Sequence, residues 1–242
     1  MAETPEAGFT GMHSLPESYR ALVIGASGAI GGAFVEALRG DARCGHVAAL
    51  SRTTHPGFDL EAAHSIAKTI DAVAPAGPFH LVVDATGALT IDGVGPEKQL
   101  AAVRADTLAR QLAVNAIGPV LLLQALAPHL APGRALYAKL SARVGSIADN
   151  RKGGWYAYRS AKAALNQLLQ TAALELCTRR PALVVAALQP GTVASPLSAP
   201  FVPADHATPP DTAAAALLRV LDGLSPTRGA HFRDARGEEI PW

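Results

Sequence analysis

Tyr158 and Lys162 stand four residues apart in a run of good helix formers that has no proline or glycine after Gly154. We therefore predict a helix over residues 155–177, which puts both side chains on one face, one turn apart. An ammonium beside a phenol favours the phenolate, so we expect Lys162 to lower the pKa of Tyr158 toward neutrality. Such a tyrosine can exchange a proton with a carbonyl or alcohol oxygen. Taken alone, the pair also fits a solvated lysine beside a half-buried tyrosine.

A glycine-rich turn near the start of the chain joins a predicted strand to a predicted helix. Residues 21–24 form a short apolar run, which is typical of a buried strand, and residues 33–39 have the periodicity of an amphipathic helix. Glycine permits a tight turn and a close approach of the backbone to a pyrophosphate, and the helix N-terminus offers free N–H groups to phosphates. The turn therefore predicts a dinucleotide site. The alternative is a plain strand–helix turn with surplus glycine.

Together the two motifs resemble the short-chain dehydrogenase/reductase family, and the resemblance runs from residue 21 to the C-terminus. The family's turn is Gly-x-x-x-Gly-x-Gly; Gly25 and Gly31 match its first and last glycines, Ala29 replaces the middle one, and Gly28 shifts the pattern. Residues 153–166, Gly-Gly-Trp-Tyr-Ala-Tyr-Arg-Ser-Ala-Lys-Ala-Ala-Leu-Asn, are most similar to the small carbonyl reductases of the sniffer and C-factor type.

The end of the second predicted strand indicates which cofactor is bound. A site for NAD usually has a carboxylate about 20 residues beyond the glycine turn. Here the chain reads Leu50-Ser51-Arg52, in which Arg52 can pair with a 2′-phosphate and Ser51 can add a hydrogen bond. We therefore expect NADP(H), with NAD(H) as the alternative if Arg52 is an ordinary solvated arginine. By resemblance, Asp59 meets the adenine amino group.

The resemblance also implies the remaining catalytic residues. Asn115 matches the family's helix asparagine, which holds a water in a proton relay to the lysine; the alternative is a polar residue bonded to local backbone. The family also uses a serine to orient the substrate carbonyl. An ungapped alignment puts Ala142 at that position, so Ser141 is our first choice and Ser146 the second.

The remaining cofactor contacts are implied by the same resemblance. The loop Asp84-Ala85-Thr86-Gly87 replaces the family's Asn-Asn-Ala-Gly, and a Pro-Gly loop follows the strand at 183–189. The expected cofactor-binding residues are Gly25, Ser27, Gly28, Ala29, Ile30, Gly31, Ser51, Arg52, Asp59, Ala85, Thr86, Gly87, Tyr158, Lys162, Pro190, Gly191, Thr192, Val193 and Ser195. Beyond them, the proline-rich stretch 193–210 predicts a binding lid with an apolar wall from Leu197, Phe201 and Val202; the alternative is a disordered surface loop.

Strand and helix patterns alternate along the chain, which predicts an α/β fold with a doubly wound parallel sheet of the Rossmann type and helices on both faces. The predicted strands are 21–24, 46–51, 80–85, 134–141, 183–189 and 230–233. The predicted helices are 33–39, 60–73, 97–130 with an interruption at Pro119, 155–177 and 211–221. We expect residues 1–19 to be a flexible extension and residues 20–242 to form one domain.

Composition excludes several classes of protein. A net charge of +1 gives no reason to expect nucleic acid or a membrane surface as a partner. Two distant cysteines argue against a disulfide scaffold and fit a cytoplasmic location. The histidines show no ligand-like cluster, no stretch reads as a membrane span, and the start does not resemble a signal peptide, so we expect neither a metal nor a membrane partner.

These observations predict an oxidoreductase that moves a hydride between NADP(H) and a small ketone, aldehyde or alcohol. The family resemblance implies a homodimer or homotetramer with helices 97–130 and 155–177 at its interface. The competing class is a non-catalytic NADP(H)-binding sensor or signalling protein on the same fold. A serine hydrolase is disfavoured because the turn around Ser27 lacks the Gly-x-Ser-x-Gly spacing of a nucleophile elbow.

Overall fold

Six parallel strands form one sheet in the order β2-β1-β3-β4-β5-β6. The structure, a computed structural model, describes residues 9–242 except the side chain of residue 204. The strands are β1 (Tyr19–Ile24), β2 (Cys44–Leu50), β3 (Leu81–Asp84), β4 (Ala135–Leu140), β5 (Leu183–Gln189) and β6 (His231–Asp234). The direction in which strands are added reverses between β1 and β3. In an open parallel sheet, the carboxyl ends of those two strands border the ligand crevice.

Helices cover both faces of the sheet, which confirms the predicted fold class. They are α1 (Ala29–Arg39), α2 (Ala63–Val73), α3 (Ala105–Leu112), α4 (Gly118–Leu126), α5 (Tyr156–Arg179) and α6 (Pro210–Asp222). Helices α1 and α6 pack side by side against one core; α2, α4 and α5 pack against the other. The central strands β3, β4 and β5 are buried on both faces and mostly apolar, with Asp84 and Lys139 as charged exceptions, as expected for a parallel sheet that is covered twice.

The long helical stretch predicted near Pro119 is interrupted as expected. A π-helical turn, Ala113–Ile117, joins α3 to α4. Pro119 has no N–H to donate to the carbonyl of Asn115 four residues earlier, so regular α-helical bonding fails at this point. The irregular turn therefore lies just before the predicted interruption at Pro119, and the helix begins at Ala105 and not at residue 97 as we expected.

The continuous stretch Ala105–His129 is long and apolar enough to cross a membrane by length and composition alone, which corrects our expectation that no segment reaches that length. The core helix of a soluble protein passes the same test. Here Leu122, Leu123 and Leu126 are buried in the core beside α2 and α5. Burial in the core accounts for the apolar character of these three positions.

Residues 9–18 pack on the body of the protein, although we expected a flexible extension up to residue 19. Met12 and Leu15 are buried in the core with α1 and α6. The backbone N–H groups of His13 and Ser14 donate to the carboxylate of Asp222, at 3.0 and 2.9 Å. Met12 and Leu15 were not predicted as core residues because polar residues and glycine surround them in the sequence. The remainder of that prediction, residues 1–8, lies outside the described residues.

Candidate active site

The glycine turn after β1 is built for close contact. Gly25 has φ +82°, and a Cβ there would lie 3.0 Å from the carbonyl carbon of Ala85. A Cβ on Gly31 would lie 2.1 Å from the carbonyl oxygen of Gly25, so only glycine fits. Helix α1 begins after Gly28 with no side-chain cap, which leaves its first N–H groups available to a ligand. Ser27 and Gly28 are exposed at that point, as a phosphate site requires.

The end of β2 lies against the same turn. The N–H groups of Gly25 and Ala26 both donate to the carbonyl of Leu50, at 2.8 and 3.1 Å. Ser51 is buried, and its N–H donates to Thr54 Oγ1 at 2.9 Å. Arg52 is exposed and forms no ion pair with any residue between 9 and 242. The residues present therefore fit a dinucleotide with an extra phosphate beside Arg52.

Asp59 lies beyond the same strand and is exposed. Its carboxylate accepts a hydrogen bond from the N–H of Glu61 at 2.9 Å. The predicted adenine contact thus stays accessible to a ligand, while the bond to Glu61 holds the turn before α2.

The loop after β3 meets the turn on one side and the catalytic candidates on the other. Ala85 donates its N–H to the carbonyl of Ile24 at 2.9 Å. Gly87, at φ +140°, is exposed to solvent but close to two side chains: a Cβ there would lie 2.9 Å from Asn115 Oδ1 and 3.6 Å from Lys162 Nζ. Gly87 is therefore the point at which the predicted cofactor loop, the helix asparagine and the lysine come together.

Asn115 is fully buried at the π-helical turn and clamps this loop. Its Nδ2 donates to the carbonyl of Ala88 at 2.8 Å, and its Oδ1 accepts from the N–H of Ala88 at 3.1 Å. Gln111, one turn earlier, accepts from Asn115 at 2.7 Å and donates to the carbonyl of Leu89 at 2.9 Å. Asn115 therefore bonds local backbone, which was the alternative interpretation, and it also sits beside Lys162.

Tyr158 and Lys162 share one face of α5, as predicted. Lys162 Nζ lies 5.6 Å from the centre of the Tyr158 ring and donates to the carbonyl of Leu140 at 3.1 Å. The hydroxyl of Tyr158 forms no hydrogen bond with any described residue. That hydroxyl is therefore available to a ligand.

The electrostatics of the pair correct our prediction. Burial raises the pKa of Tyr158 above its ordinary value instead of Lys162 lowering it. Burial also lowers the pKa of Lys162 to about 7, with a further decrease from Lys139 and an opposing effect from Asp84. Both shifts have one cause, because loss of water disfavours the phenolate and the ammonium alike. The four-residue spacing correctly predicted that Tyr158 and Lys162 share one face of the helix. It contains no information about the loss of water around the two groups.

Neither candidate serine contacts Tyr158 through a hydrogen bond. Ser141 continues the strand pairing of β4, and its buried hydroxyl donates to Asn166 Oδ1 at 2.6 Å. Ser146 is also buried, and its oxygen accepts from the N–H of Asp149 at 3.0 Å. Ala142 occupies the intervening position, in extended backbone before a short 3₁₀ turn. The structure thus brings together Tyr158, Lys162 and Asn115, but not the predicted serine.

The Pro-Gly loop follows β5 at the same edge of the sheet. Gly191 has φ +78°, and Thr192 accepts a hydrogen bond from the N–H of Thr208 at 2.8 Å. Val193 is buried and forms an isolated bridge with Thr208. Ser195 donates to the carbonyl of Val193 at 3.2 Å, which closes a tight turn. Pro190, Gly191, Thr192, Val193 and Ser195 therefore lie beyond the carboxyl end of β5, which β3 and β4 separate from β1 in the sheet.

Trp155 lies beside Tyr158, and Phe201 lies beyond Trp155. Trp155 packs edge-on against Tyr158 and Phe201, with ring centres 6.2 and 5.5 Å apart. Trp155 adopts a left-handed backbone conformation at φ 54° and donates its N–H to the carbonyl of Glu97. The buried carboxylate of Glu97 in turn accepts from the N–H of Ala157 at 3.0 Å. Sequence analysis missed Glu97, which holds the start of the helix that carries Tyr158.

Sequence analysis also missed a charged pair beneath the site. Lys139 and Asp84 are fully buried, and Lys139 Nζ lies 2.9 Å from Asp84 Oδ1. A charged residue in each of two otherwise apolar strands was the visible signal. Elsewhere, no cluster of three metal-ligating side chains is present in the part of the chain that the structure describes.

Two known proteins show the relationship by sequence. The C-signal protein of Myxococcus xanthus is 37% identical over 136 residues, which cover 56% of this chain and 78% of that protein. The 1-hydroxy-2-glutathionyl-2-methyl-3-butene dehydrogenase of Rhodococcus sp. strain AD45 is 31% identical over 198 residues, which cover 81% of this chain and 83% of that enzyme.

Two solved structures show the same fold. The carbonyl reductase Sniffer of D. melanogaster superposes with a TM-score of 0.78 at 20% identity, over 93% of this chain and all of that one. The NADPH-bound carbonyl reductase from chicken fatty liver gives 0.80 at 21% identity, over 99% of this chain and all of that one. The family model of the short chain dehydrogenases matches residues 20–205. The parallel sheet, the glycine turn and the helix that carries Tyr158 and Lys162 agree with that match. This chain therefore belongs to the short-chain dehydrogenase family.

Proposed function

We propose that this protein is an NADPH-dependent reductase of ketones or aldehydes. One observation carries the proposal: an unbroken series of contacts links the glycine turn to the proton-bearing groups. Gly25 packs on Ala85, and Gly87, two residues later, lies against both Lys162 and Asn115. A dinucleotide on the turn and a carbonyl beside Tyr158 would therefore occupy one crevice.

The cofactor would be held at the carboxyl edge of the sheet. Its phosphates fit the turn from Gly25 to Gly31 and the start of α1, and its 2′-phosphate fits Arg52. The 84–87 loop and the stretch from Pro190 to Ser195 border the remaining space. When bound, NADPH supplies the hydride for the reduction.

The chain's own residues supply the proton. A raised pKa keeps Tyr158 protonated at neutral pH, which is the form that a carbonyl reduction requires. The reverse reaction needs the phenolate and is disfavoured by the same burial. Lys162, with a pKa of about 7, can pass a proton toward the site, and Asn115 fixes the loop beside it.

Ser141 is outside this set of donors. Its proton is already bound to Asn166, so we assign Ser141 to the attachment of α5 to β4. Tyr158 then orients the carbonyl through its own hydroxyl. This arrangement departs from the family pattern at one position and leaves the proton donor unchanged.

The substrate would be an apolar carbonyl compound. Trp155 and Phe201 form an aromatic wall next to Tyr158, and Leu197 adds an apolar side chain that is 45% exposed. Apolar walls with few polar groups are typical of small-molecule pockets. We therefore expect aryl and long-chain ketones or aldehydes to be better substrates than small polar ones.

The test is NADPH consumption against a panel of ketones and aldehydes, with wild type and Tyr158→Phe compared. Removing the proton donor should reduce kcat by about 10²–10⁴-fold, because general acid catalysis contributes that much. Titration of NADPH by fluorescence should show unchanged binding. Equal rates for the two proteins would refute the role of Tyr158.

A second candidate function is a non-catalytic NADP(H)-binding signalling protein. The favouring observations are the likeness to the C-signal protein and the engagement of Ser141 by Asn166. The same panel separates the two functions. Tight NADPH binding without turnover on any carbonyl would support the signalling function.

We also propose a homodimer or homotetramer in the cytoplasm. The support for an assembly is that α5 and the π-helical turn expose Leu174 and Ile117, which are 46% and 50% accessible. The support for a reducing compartment is that Cys44 and Cys177 are both free thiols. Analytical ultracentrifugation of wild type and Leu174→Glu tests the assembly.

A further inference from the structure

A lysine and an aspartate lie fully buried under the loop that carries Gly87. Asp84 ends β3, Lys139 lies near the end of β4, and the two are register partners in the parallel pairing of these strands. Their Nζ–Oδ1 distance is 2.9 Å, and neither side chain is accessible to solvent. Two charges at this depth are costly unless every proton has an acceptor, so the pair calls for an account of its bonds.

All three protons of Lys139 have acceptors. One goes to Asp84, and the other two go to the carbonyl and the hydroxyl oxygen of Thr86, at 2.6 and 2.9 Å. Thr86 also donates its own N–H and hydroxyl to Asp84 Oδ1, at 2.9 and 2.6 Å. The two charged side chains therefore hold Thr86 through four hydrogen bonds, and a fifth joins Lys139 to Asp84.

The neighbouring loop residue is held from the side. Asn115 bonds both the N–H and the carbonyl of Ala88. Gly87 thus lies between two hydrogen-bonded residues, Thr86 and Ala88, and a Cβ on it would lie only 2.9 Å from Asn115 Oδ1. A change at Lys139 would move the residue that separates the proton-relay asparagine from the lysine.

The same pair faces Lys162 electrostatically. Lys162 on α5 meets the carboxylate of Asp84 from β3 and the ammonium of Lys139 from β4, while Tyr158 on its own helix is the remaining titratable neighbour. The ammonium of Lys139 disfavours charge on Lys162, and the carboxylate favours it. Both effects are strong where water is excluded.

We propose that Asp84 and Lys139 are positioning residues for the active site: they hold Thr86 and Gly87 against Asn115 and Lys162, and they place one carboxylate and one ammonium group near Lys162. The inference rests on the proposed reductase only for its kinetic consequence. Its electrostatic part concerns the protein without any ligand.

Direct titration of Lys162 tests the electrostatic part. The chain has five lysines, so ¹³C-lysine NMR gives a simple spectrum in which Lys162→Met identifies one signal. Lys139→Met should raise the titration midpoint of Lys162, because a neighbouring positive charge is gone. Asp84→Asn should lower it, because a neighbouring negative charge is gone.

The double variant Asp84→Asn/Lys139→Met protects the test against misfolding. It buries no unpaired charge, and the amide oxygen that replaces the carboxylate can still accept from the N–H of Thr86, so the variant should fold even if a single variant does not. If the single variants fold, the titration midpoint of Lys162 in the double variant should lie between their two midpoints. If only the double variant folds, its midpoint should lie above the wild-type value, because Lys139 has a larger effect on Lys162 than Asp84 has. A midpoint unchanged in every folded variant would overturn the proposal.

Asp41→Asn is the matched control. Asp41 is another buried carboxylate, bonded to Tyr19, Met12 and Arg43 at the opposite edge of the sheet. This variant should lower the melting temperature and leave the midpoint of Lys162 unchanged. A shift of the midpoint as large as that of Asp84→Asn would mean that general destabilisation, and not the pair, controls Lys162.

Kinetics then separate this proposal from the proposed function. In an active wild type, the double variant should lose about tenfold in kcat, and its pH profile should move in the same direction as the NMR midpoint. An unmoved pH profile would overturn the positioning role. If wild type reduces no carbonyl at all, the proposed function fails while the NMR result still decides the electrostatic role of the pair.

Discussion

Asp41 and Asp84 are two buried carboxylates at opposite edges of one sheet. Asp41, before β2, accepts hydrogen bonds from the N–H of Met12 at 2.9 Å, the hydroxyl of Tyr19 at 2.7 Å and the N–H of Arg43 at 2.9 Å, so both of its oxygens are bonded. Asp84, after β3, concentrates its hydrogen bonds on Oδ1, and its buried Oδ2 has no partner among the described residues.

This difference indicates that the two edges of the sheet have different roles. The edge formed by the amino ends of the strands, the amino edge, serves stability, and the edge formed by their carboxyl ends, the carboxyl edge, serves chemistry. At the amino edge, both oxygens of Asp41 are bonded, to the hydroxyl of Tyr19 and to backbone N–H groups. The carboxyl edge holds an unpartnered oxygen on Asp84 and two nearby ammonium groups, on Lys139 and Lys162. The unsatisfied buried oxygen of Asp84, beside two cations, is therefore a candidate functional feature. Changes at the amino edge should therefore affect unfolding, and changes at the carboxyl edge should affect binding and rate.

The largest expected effect at the carboxyl edge is that of Gly31→Ala. Its Cβ would meet a backbone oxygen at 2.1 Å, which the turn cannot accommodate without moving. An overpacking cost of about 3 kcal/mol corresponds to roughly hundredfold weaker NADPH binding if the turn moves out of its binding shape. Isothermal titration calorimetry measures the dissociation constant of NADPH for the variant and for wild type.

Gly32→Ala is the matched control for that variant. Its nearest contact would be 3.5 Å, an ordinary distance, and alanine is the better helix former. NADPH binding should remain within twofold of wild type. Equal losses in both variants would contradict the proposed role of the turn geometry.

At the amino edge, Asp41→Asn should cost about 2 kcal/mol of unfolding free energy, measured by urea denaturation. Burial alone would raise the pKa of Asp41, but hydrogen bonds from Met12 and Arg43 lower it below its ordinary value. Its stabilisation is therefore present above the unfolded pKa of about 3.9 and lost as pH falls through the lower folded value. The variant should lack the part of the acid-induced loss of unfolding free energy that comes from Asp41.

The kcat of the folded Asp41→Asn variant should equal that of wild type. A changed kcat would contradict the division of roles between the two edges.

Arginines at the two edges sharpen the comparison further. Arg52→Ala at the carboxyl edge should weaken NADPH binding about tenfold and leave NADH binding unchanged, because one charge-assisted contact is lost. Arg228→Ala, in the loop before β6 at the amino edge, should change neither. Equal losses for the two cofactors would show that Arg52 does not read the 2′-phosphate.

The last prediction is a pH dependence of the reduction rate. If charged Lys162 supplies the proton, the reduction rate should decrease as pH rises through about 7, where that charge is lost. The decrease should be tenfold per pH unit above the midpoint at most. Stopped-flow rates between pH 6 and 9 measure it, and a flat profile would exclude Lys162 as the proton source.

Local patterns were enough to predict much of this protein. All six strands and the helix of Tyr158 follow from apolar runs and helix formers, and the glycine turn follows from its flanking elements. The break at Pro119 was visible because proline lacks a donor. In each case, neighbours in sequence determine the outcome.

The missed features depend on contacts between distant segments. The pairing of Asp84 with Lys139 requires knowing that β3 lies beside β4 in that register. The direction in which the pKa of Tyr158 shifts depends on how much water the fold removes from around the phenol, and the spacing of residues does not encode this. The bond from Ser141 to Asn166 depends on how α5 lies across β4.

Trp155 gives the molecule a built-in optical reporter. The chain contains two tryptophans, and Trp242 stacks on Phe232, whereas Trp155 touches Tyr158 and Phe201. With Trp242 replaced by phenylalanine, the emission spectrum would come from a single indole beside the reaction centre. Movement of the segment that carries Phe201 would then be readable in real time, without a label.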